Sequence, residues 1–280
     1  MANQVPQPTD DRVTDIGRRL FSQFALENNV YCVPVDVEEK ERVEELDCVL
    51  RQLFGGQVVL PPALRTANDD EDGDEPPVVL ECGCGSGVWI ERLLSEYSED
   101  CEVTGIDIYL GRGIEGGEDP DEDDDQPDAV QEFERKRWNL NASFRDAPRE
   151  DRLGAETFDL INSRLLAEGI NASRWRSYVS ELRAMLKPGR GWLQMVELEL
   201  HVQSDNGRLR QDSCLTRWCQ WYAYTMMTMG KNPRIGRELG QLLRDEGLTG
   251  VRTDGLNLPL GDWMPGTHRT DADERGQHDL

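Results

Sequence analysis

Apolar and polar positions follow two periods along the chain, and their alternation predicts an α/β protein. Short apolar runs predict β-strands at residues 78–81, 103–107, 141–145, 158–161 and 191–202. Apolar residues that recur every three or four positions predict helices at residues 12–24, 37–54, 129–137, 172–186 and 214–230. Strands that alternate with helices favour a mostly parallel sheet with helices on both faces.

One predicted strand, turn and helix start lies in the segment VVLECGCGSGVWIERL, residues 78–93. Glu81 closes the apolar run, and Gly83, Gly85 and Gly87 follow at alternate positions before an amphipathic helix begins. Glycine lacks a Cβ and tolerates positive φ, so the backbone of such a turn can approach a ligand closely. The helix start adds unpaired N–H groups and the positive end of the helix dipole. The segment therefore predicts a site for a nucleotide-type cofactor.

The spacing of the glycines distinguishes among the possible cofactors. A dinucleotide fingerprint needs its third glycine at the position that Val88 occupies. Asp107 ends the next predicted strand, 20 residues beyond Gly87, where a carboxylate can bind two ribose hydroxyls. Taken alone, Asp107 suits NAD equally well. An ordinary turn between a strand and a helix, with an acidic strand cap, is the alternative interpretation.

Polar side chains also end the later predicted strands. Asp146 and Asn162 each follow a short apolar run. Because successive parallel strands deliver their carboxyl ends to one edge of a sheet, we expect four strand-end residues to converge on one crevice: Glu81, Asp107, Asp146 and Asn162. Asp146 would then accept a hydrogen bond from an exocyclic amine such as that of adenine, or else cap the following turn.

The N-terminal region is predicted to lie outside the sheet. Residues 1–15 are polar, contain two prolines and are expected to be disordered, and residues 16–65 are expected to form a helical extension. The helix at 37–54 has one apolar face and stops at Gly55. The extension either packs on the sheet or caps the cofactor pocket, and the sequence leaves both interpretations open.

Two acidic segments lie beside the first two predicted strands, at residues 66–77 and 113–128. Carboxylates are ligands for magnesium and calcium, but the second segment lacks the register of a calcium-binding loop and is interpreted as a solvated loop. Cys82 and Cys84 are too closely spaced for the usual zinc pair, and the three histidines do not cluster. No metal site is therefore predicted.

Composition restricts the partners. The chain has 280 residues and a net charge of -24, with 55 acidic against 31 basic residues. This balance disfavours nucleic acid and anionic membranes, since phosphates attract a basic face. No apolar run reaches the length of a membrane span, the N-terminus lacks the parts of a signal peptide, and the seven cysteines are an odd number. We therefore expect a soluble, cytoplasmic protein without a disulfide framework.

The glycine segment, with Glu81 two positions before Gly83, resembles motif I of class I S-adenosylmethionine-dependent methyltransferases. Later blocks resemble the LaeA-like fungal group more closely, namely FDLINSR at residues 158–164 and LKPGRGWLQMVE at residues 186–197. The resemblance extends over residues 31–263 and includes YCVPVD, QSDNGRL and MGKNPRIGRELGQLLRDEGLTGV. Arg190 stands where the group typically has two adjacent glycines, and the loop after Asp107 is longer than usual in the group.

The resemblance implies a Rossmann-like class I methyltransferase fold with a seven-stranded, mostly parallel sheet and the N-terminal helical extension. The methyltransferase domain would span residues 77–263, followed by a polar tail at 264–280. The implied cofactor is S-adenosylmethionine. By resemblance its binding residues would be Glu81, Gly83, Gly85 and Gly87 around the methionine part, Asp107 at the ribose, Asp146 with Ala147 at the adenine, and Cys84, Ile108 and Asn162 beside them.

Methyl transfer is an in-line displacement, so its rate depends on the alignment of acceptor and methyl group. The helix at 214–230 is apolar around most of its circumference and is expected to be largely buried or to face a pocket. Its aromatic and methionine residues suit either an apolar acceptor or plain core packing. The candidate acceptor contacts are Arg164, Trp218, Trp221, Tyr222 and Met226. His201, near the end of the strand predicted at 191–202, is the candidate general base, or else a polar residue that leaves the strand.

The resemblance thus implies methylation of an O or N atom of a small-molecule secondary metabolite in a fungus. LaeA-like proteins also include regulators of secondary-metabolite gene expression that act through protein partners, and that role would place the protein in the nucleus. A methyltransferase fold reused for a non-methylating reaction is a third possibility, which the intact glycine turn and Asp107 disfavour.

Overall fold

The computed structural model describes residues 5–64, 76–97, 101–111, 133–148, 153–204, 206–258 and 260. The strands are β1 (Val13–Ile16), β2 (Arg19–Ser22), β3 (Val78–Cys82), β4 (Glu102–Asp107), β5 (Glu134–Arg137), β6 (Leu160–Arg164) and β7 (Trp192–Val196). The helices are α1 (Gln23–Glu27), α2 (Val37–Leu53), α3 (Val88–Tyr97), α4 (Trp175–Met185), α5 (Cys214–Thr228) and α6 (Ile235–Asp245). No helix in these ranges combines the length and apolarity needed to cross a membrane.

Five of the strands form one parallel sheet in the order β5-β4-β3-β6-β7, and β1 pairs with β2 as an antiparallel hairpin. From β3 the chain adds β4 and β5 on one side of that strand, and then returns to add β6 and β7 on the other side of β3. Such a reversal opens a crevice at the carboxyl ends of the central strands. The Rossmann-like α/β fold predicted from the sequence is confirmed, whereas the count of seven sheet strands is not, since the described residues contribute five.

Helices cover both faces of the sheet. Neighbouring residues of a strand point to opposite faces, and in β3 the residues on both faces are apolar. Leu80 belongs to a buried cluster that includes Tyr178 and Leu182 of α4 and part of α6. Val79, the preceding residue, belongs to a second cluster with α3. Val79, Leu80 and Leu182 are fully buried, so the sheet is the centre of two apolar layers.

The first helix expected from the sequence, at residues 12–24, is wrong. The structure has the β1–β2 hairpin there, and α1 begins only at Gln23. Gly17 and Arg18 form the hairpin turn, and both have positive φ, of 63° and 72°. Two consecutive residues with positive φ fit a tight hairpin turn and not a helix. The apolar spacing in this segment was too short to distinguish the two.

Residues 5–11 were expected to be disordered, but they pack on the domain. Asn139 donates from its backbone N–H to Gln7 Oε1 at 2.9 Å and from its side chain to Pro6 O at 3.0 Å. Asp11 forms an ion pair with Arg137 at 2.7 Å. The expectation of disorder over residues 1–15 therefore does not hold for residues 5–15.

Two expectations between β4 and β6 are also wrong. A helix was expected at residues 129–137, but residues 134–137 form β5, which pairs in parallel with β4; residues 129–132 lie outside the described ranges. A strand was expected at 141–145, where the chain instead makes a turn followed by a 3-10 helix at Phe144–Asp146. The charged sequence ERKR gives no strand signal of its own, because its conformation follows from the ladder with β4.

The helices expected at 37–54, 172–186 and 214–230 are confirmed as α2, α4 and α5, and the last expected strand is shorter, ending at Val196. Most of the acidic segments at 66–77 and 113–128, and the tail at 264–280, lie outside the described residues.

Candidate functional site

The structure brings strand-end residues together at the carboxyl edge of the sheet. Glu81 of β3 is the ladder partner of Gly105 in β4 and of Asn162 in β6. The Asn162 side chain donates to Glu81 Oε1 at 3.4 Å. Asp107 is the last residue of β4 and contacts the glycine turn. Three of the four residues expected to converge therefore lie at this edge.

The glycine turn after β3 is tied to β4 by hydrogen bonds. The N–H groups of Gly83 and Cys84 both donate to Ile106 O, at 2.8 and 3.1 Å. Gly85 N–H donates to Asp107 Oδ2 at 2.9 Å. Cys84 is buried, and burial raises the pKa of its thiol well above the usual value, so it packs as a small apolar residue. These contacts fix the turn relative to Asp107.

The three turn glycines differ in what surrounds them. A Cβ on Gly83 would lie 2.3 Å from Leu166 Cδ2, and a Cβ on Gly87 would lie 2.8 Å from Phe133 Cζ. A Cβ on Gly85 would meet nothing within 4 Å, and Gly85 is exposed. All three have positive φ. Gly85 is therefore the part of the turn that is open to a ligand, while the other two glycines allow close packing.

The Asp107 carboxylate organises this turn and keeps acceptor capacity. Its Oδ2 accepts from Gly85, and its Oδ1 accepts from Tyr109 N–H at 3.1 Å. Burial raises the pKa of Asp107, while the backbone N–H groups of Gly85, Tyr109 and Ile108 oppose that rise. An ionised carboxylate offers about four lone-pair sites, so both oxygens can still accept from hydroxyl groups of a ligand.

Glu81 lies in a buried polar network. Its partner Asn162 accepts at Oδ1 from the Gln194 side chain at 3.1 Å, and Gln194 also donates to Val58 O at 3.1 Å. Burial raises the pKa of Glu81 to about 8, and nearby Arg164 partly opposes the rise. Glu81 Oε2 has no hydrogen-bond partner among the described residues although it is buried. This oxygen can therefore accept a hydrogen bond from, or pair with, a cationic group of a ligand beside the glycine turn.

Asp146 does not follow a strand, so the reason for placing it at the sheet edge is wrong. It ends the 3-10 helix and is exposed, whereas Ala147 packs in the core. The residue that follows β5 at the carboxyl edge is Asn139, two positions after Arg137, and it is fully buried. Sequence reasoning missed Asn139 because it missed β5.

Helix α2 is attached to the same edge through a buried carboxylate. Asp47 lies 2.9 Å from Arg164 Nη1 at the end of β6 and 2.5 Å from Arg92 Nε of α3. Asp47 is 5 % exposed. Arg164, predicted to contact the acceptor, is thus paired with Asp47 and lies over the Trp89 ring at 5.8 Å. The pair was not predicted because its members are 117 positions apart in the chain.

Helix α5 presents its candidate acceptor residues on two sides. Met226 is buried, and Tyr222 is partly buried with its hydroxyl hydrogen-bonded to Glu168 Oε1. Trp218 and Trp221 are 52 % and 62 % exposed. The expectation that this helix is largely buried is therefore wrong, whereas the alternative, that it faces a pocket for the acceptor, stays a prediction. Only the side with Tyr222 and Met226 faces the domain.

His201 lies in the segment after β7, outside any strand, and its side chain is exposed. Its backbone N–H donates to Glu199 O at 2.8 Å. No side-chain hydrogen bond of His201 occurs within the described part of the chain. Its role as a base stays a prediction.

A loop after β6 lies between the glycine turn and α5, and sequence reasoning missed it. Leu166 packs against Gly83, and the N–H groups of Leu166 and Ala167 donate to Glu197 at 2.8 and 3.1 Å. Glu168 follows and accepts from Tyr222. Burial raises the pKa of Glu197 to about 8, against the effect of the two N–H groups. The loop thus carries one carboxylate, Glu168, and is held by a second, Glu197, which follows β7.

Comparison with known proteins identifies the family. A family model described as a methyltransferase domain matches residues 59–253, which is more than half of the chain. The chain belongs to this family. The matched range contains the sheet, the glycine turn and Asp107. The resemblance to LaeA-like class I methyltransferases is confirmed, and S-adenosylmethionine is the cofactor.

Curated relatives of this methyltransferase carry two kinds of name. The chain is 24 % identical to the secondary metabolism regulator LAE1 of Cochliobolus heterostrophus over 96 % of this chain and 78 % of the relative. It is 27 % identical to the methyltransferase cpsF of Aspergillus campestris, over 68 % of this chain and 62 % of that relative. Among solved structures, the Haemonchus contortus phosphoethanolamine N-methyltransferase 2 aligns with a TM-score of 0.38 at 14 % identity, covering 73 % of this chain and 41 % of that one.

Proposed function

We propose that the chain transfers the methyl group of S-adenosylmethionine to an O or N atom of a small-molecule metabolite. The observation that most supports this proposal is the buried Oε2 of Glu81, which lacks a partner among the described residues. Burying a carboxyl oxygen without a partner is costly, and burial accordingly raises the pKa of Glu81 to about 8. The cationic methionine part of the cofactor would favour the ionised carboxylate and pair with it.

The residues around the turn fit the other parts of the cofactor. Asp107 has lone pairs left for two ribose hydroxyls, and the exposed backbone of Gly85 leaves room for a ligand next to them. Helix α3 begins at Val88, directly after the turn, and the first N–H groups of a helix have no partner within it. The predicted adenine contact at Asp146 loses its structural basis, and Asn139 takes its topological position.

When bound, S-adenosylmethionine supplies an electrophilic methyl group on a positively charged sulfur. The chain would then act by position: Glu81 and the glycine turn hold the donor, and the side of α5 with Tyr222 holds the acceptor in line with it. Alignment of this kind is worth up to roughly 7–11 kcal/mol of the barrier. Leu166 and helix α2 would keep water from the reacting atoms.

Two measurements test this proposal. Calorimetric titration with S-adenosylmethionine should give micromolar binding, and incubation with a fungal extract should raise the mass of one extract component by about 14 daltons, the mass of one CH₂ unit. The expected place of this reaction is the cytoplasm. Absence of cofactor binding would refute the proposal, and binding without any transfer to a small molecule would favour a regulatory role.

The second candidate function is regulation of secondary-metabolite genes through protein partners in the nucleus. The name of the LAE1 relative, which matches 96 % of this chain, favours it. Purification of the tagged protein from fungal nuclei should then recover a stable protein complex that is lost when the tag is placed on an unrelated methyltransferase. Recovery of the protein alone, from cytoplasm only, would exclude this role.

A further inference from the structure

Helix α5 carries an exposed row of large apolar side chains. They stand at every third position and are 42–65 % exposed: Leu215, Trp218, Trp221, Tyr224 and Met227. Residues three positions apart are neighbours on a helix surface, so the five side chains form one continuous patch. The other exposed large apolar residues within the described ranges are scattered, with at most two on any one element. Single exposed apolar residues need no explanation, whereas a continuous patch indicates an interface.

The charge of α5 differs from that of the rest of the chain. The chain has a net charge of -24, whereas residues 213–230 contain no acidic residue and one basic residue, Arg217. Two copies of so acidic a chain repel each other at a distance, and they can approach with the least repulsion where carboxylates are absent. The single cation also gives a charged partner little to pair with. The row therefore favours an apolar contact with a second copy.

The aromatic rings of the row are oriented before a partner binds. Trp218 stacks on Tyr222 with ring centroids 5.8 Å apart, and the Tyr222 hydroxyl is bonded to Glu168 of the domain. The Arg217 guanidinium lies 5.1 Å from the centroid of the Trp221 ring. Side chains that are already ordered lose little conformational entropy when two molecules associate. Both tryptophans therefore suit the centre of an interface, where tryptophan commonly carries much of the binding energy.

We propose that α5 forms a two-fold symmetric dimer interface with α5 of a second copy of this chain. Trp221 is the middle residue of the helix, and Trp218 and Tyr224 lie three residues from it on either side. A two-fold axis at Trp221 that reverses the row brings the two Trp221 rings together and places each Trp218 on Tyr224 of the other copy. Aromatic pairs stabilise a contact beyond the area that they bury. The dimer does not depend on the proposed transferase activity.

The exposed area is sufficient for the centre of such an interface. An aromatic side chain has roughly 150–250 Å² to bury, so the exposed fractions of Trp218, Trp221 and Tyr224 leave roughly 270–450 Å² open in each copy. A stable interface covers about 800 Å² of each partner. The three rings would supply about half of this area, and Leu215, Met227 and the polar residues beside them would surround the rings as a rim.

Sedimentation velocity of the full chain tests the dimer. Between about 1 and 100 μM the mass should rise from 31.8 kDa toward twice that value. The dimer should become tighter between about 0.05 and 0.5 M sodium chloride, because salt screens the repulsion between two acidic chains. A chain that stays monomeric, or a dimer that dissociates as salt is added, would overturn the inference. A monomer that instead binds phosphatidylcholine vesicles would assign the row to a lipid surface.

A charge at the proposed axis assigns the dimer to α5. Trp221→Glu should weaken dimerisation at least about a hundredfold, because it brings two like charges together. Leu256→Glu, which adds the same charge at an exposed position outside the helices, is the matched control and should dimerise as wild type does. Far-UV circular dichroism should show the same fold for both variants, since both positions are exposed. Equal weakening by the two substitutions would overturn the role of α5.

An exchange of charges tests the symmetric arrangement of the row. Trp218→Lys and Tyr224→Glu should each weaken the dimer at least about tenfold, as expected for central aromatic residues. The double variant should dimerise more tightly than either single variant, because each introduced lysine would face an introduced glutamate of the other copy. The two positions are six residues apart and are not neighbours within one helix. A double variant that dimerises no better than the single variants would overturn this arrangement.

Discussion

Replacement of Glu81 by glutamine should stabilise the protein at alkaline pH and weaken cofactor binding. Glu81 is 4 % exposed, and burial raises its pKa from 4.5 to about 8. The folded state therefore binds a proton that the unfolded chain releases between these values. The stability that this proton contributes is complete below pH 4.5 and is lost as the pH rises through 8. The substituted glutamine side chain would be neutral throughout and would escape this loss.

The magnitude follows from the shift. Each pKa unit corresponds to about 1.4 kcal/mol, so the raised pKa of Glu81 changes the free energy of unfolding by roughly 3–5 kcal/mol between pH 4.5 and a pH above 8. Glu81→Gln should match wild type near pH 5 and exceed it by roughly this amount at pH 8.5. Glu197 has a similarly raised pKa, but it is present in both proteins and cancels in the difference.

Urea unfolding followed by tryptophan fluorescence at pH 5, 6.5 and 8.5 measures this difference directly. Calorimetry with S-adenosylmethionine supplies the second half of the test: wild-type affinity should increase with pH as Glu81 ionises, whereas the affinity of the glutamine variant should be weaker and less dependent on pH. A difference in unfolding free energy that is the same at all three pH values would refute the reasoning, because Glu81 would then not titrate in this window.

Three further substitutions test the turn, the ribose contact and the α2 anchor. Asp107→Asn should weaken S-adenosylmethionine binding by about 1.5–3 kcal/mol in calorimetry, whereas Glu102→Gln at the exposed start of the same strand should not. Gly83→Ala should lower the free energy of unfolding by about 2–4 kcal/mol, because alanine at this position has an unfavourable positive φ and its Cβ overlaps Leu166. Gly85→Ala has only the cost of positive φ, about 1 kcal/mol. Equal losses for the two variants would contradict the close contact between Gly83 and Leu166. Asp47→Asn should lower the free energy of unfolding by about 3 kcal/mol, because it removes the ion pairs of Arg92 and Arg164. Glu44→Gln on the same helix, the control, should lower it by less than about 0.5 kcal/mol. Equal denaturant midpoints for the two variants would show that Asp47 does not anchor α2.

The parts of the site that could be predicted from the sequence are those whose chemistry is local. Gly83, Gly85 and Gly87 reveal their turn because positive φ requires glycine, and Asp107 follows an apolar run that marks its strand. Several of the expectations that failed depend on distant partners. Strand β5 has the sequence ERKR and takes its conformation from its ladder with β4.

The contacts of the site that the sequence did not predict also join residues far apart in the chain. The Glu168–Tyr222 bond joins residues 54 positions apart, and neither residue type has a spacing that signals the other. The exposed tryptophans of α5 illustrate the reverse problem: an apolar sequence was taken to mean burial, although aromatic residues on a helix surface can remain exposed. Only the packed structure decides which side of such a helix faces the domain.

The N-terminal extension contributes more than plain packing to the candidate site. One of its carboxylates, Asp47, is largely buried against Arg164 at the carboxyl end of β6. Asp11, in the segment before the extension, is likewise buried against Arg137 at the carboxyl end of β5. Without these carboxylates, two guanidinium groups would lie unpaired along the same edge as Glu81. They would compete with the cationic cofactor, since like charges repel strongly in a partly buried site. The two ion pairs that attach this N-terminal region to the sheet would therefore also lower the positive charge that the cofactor meets.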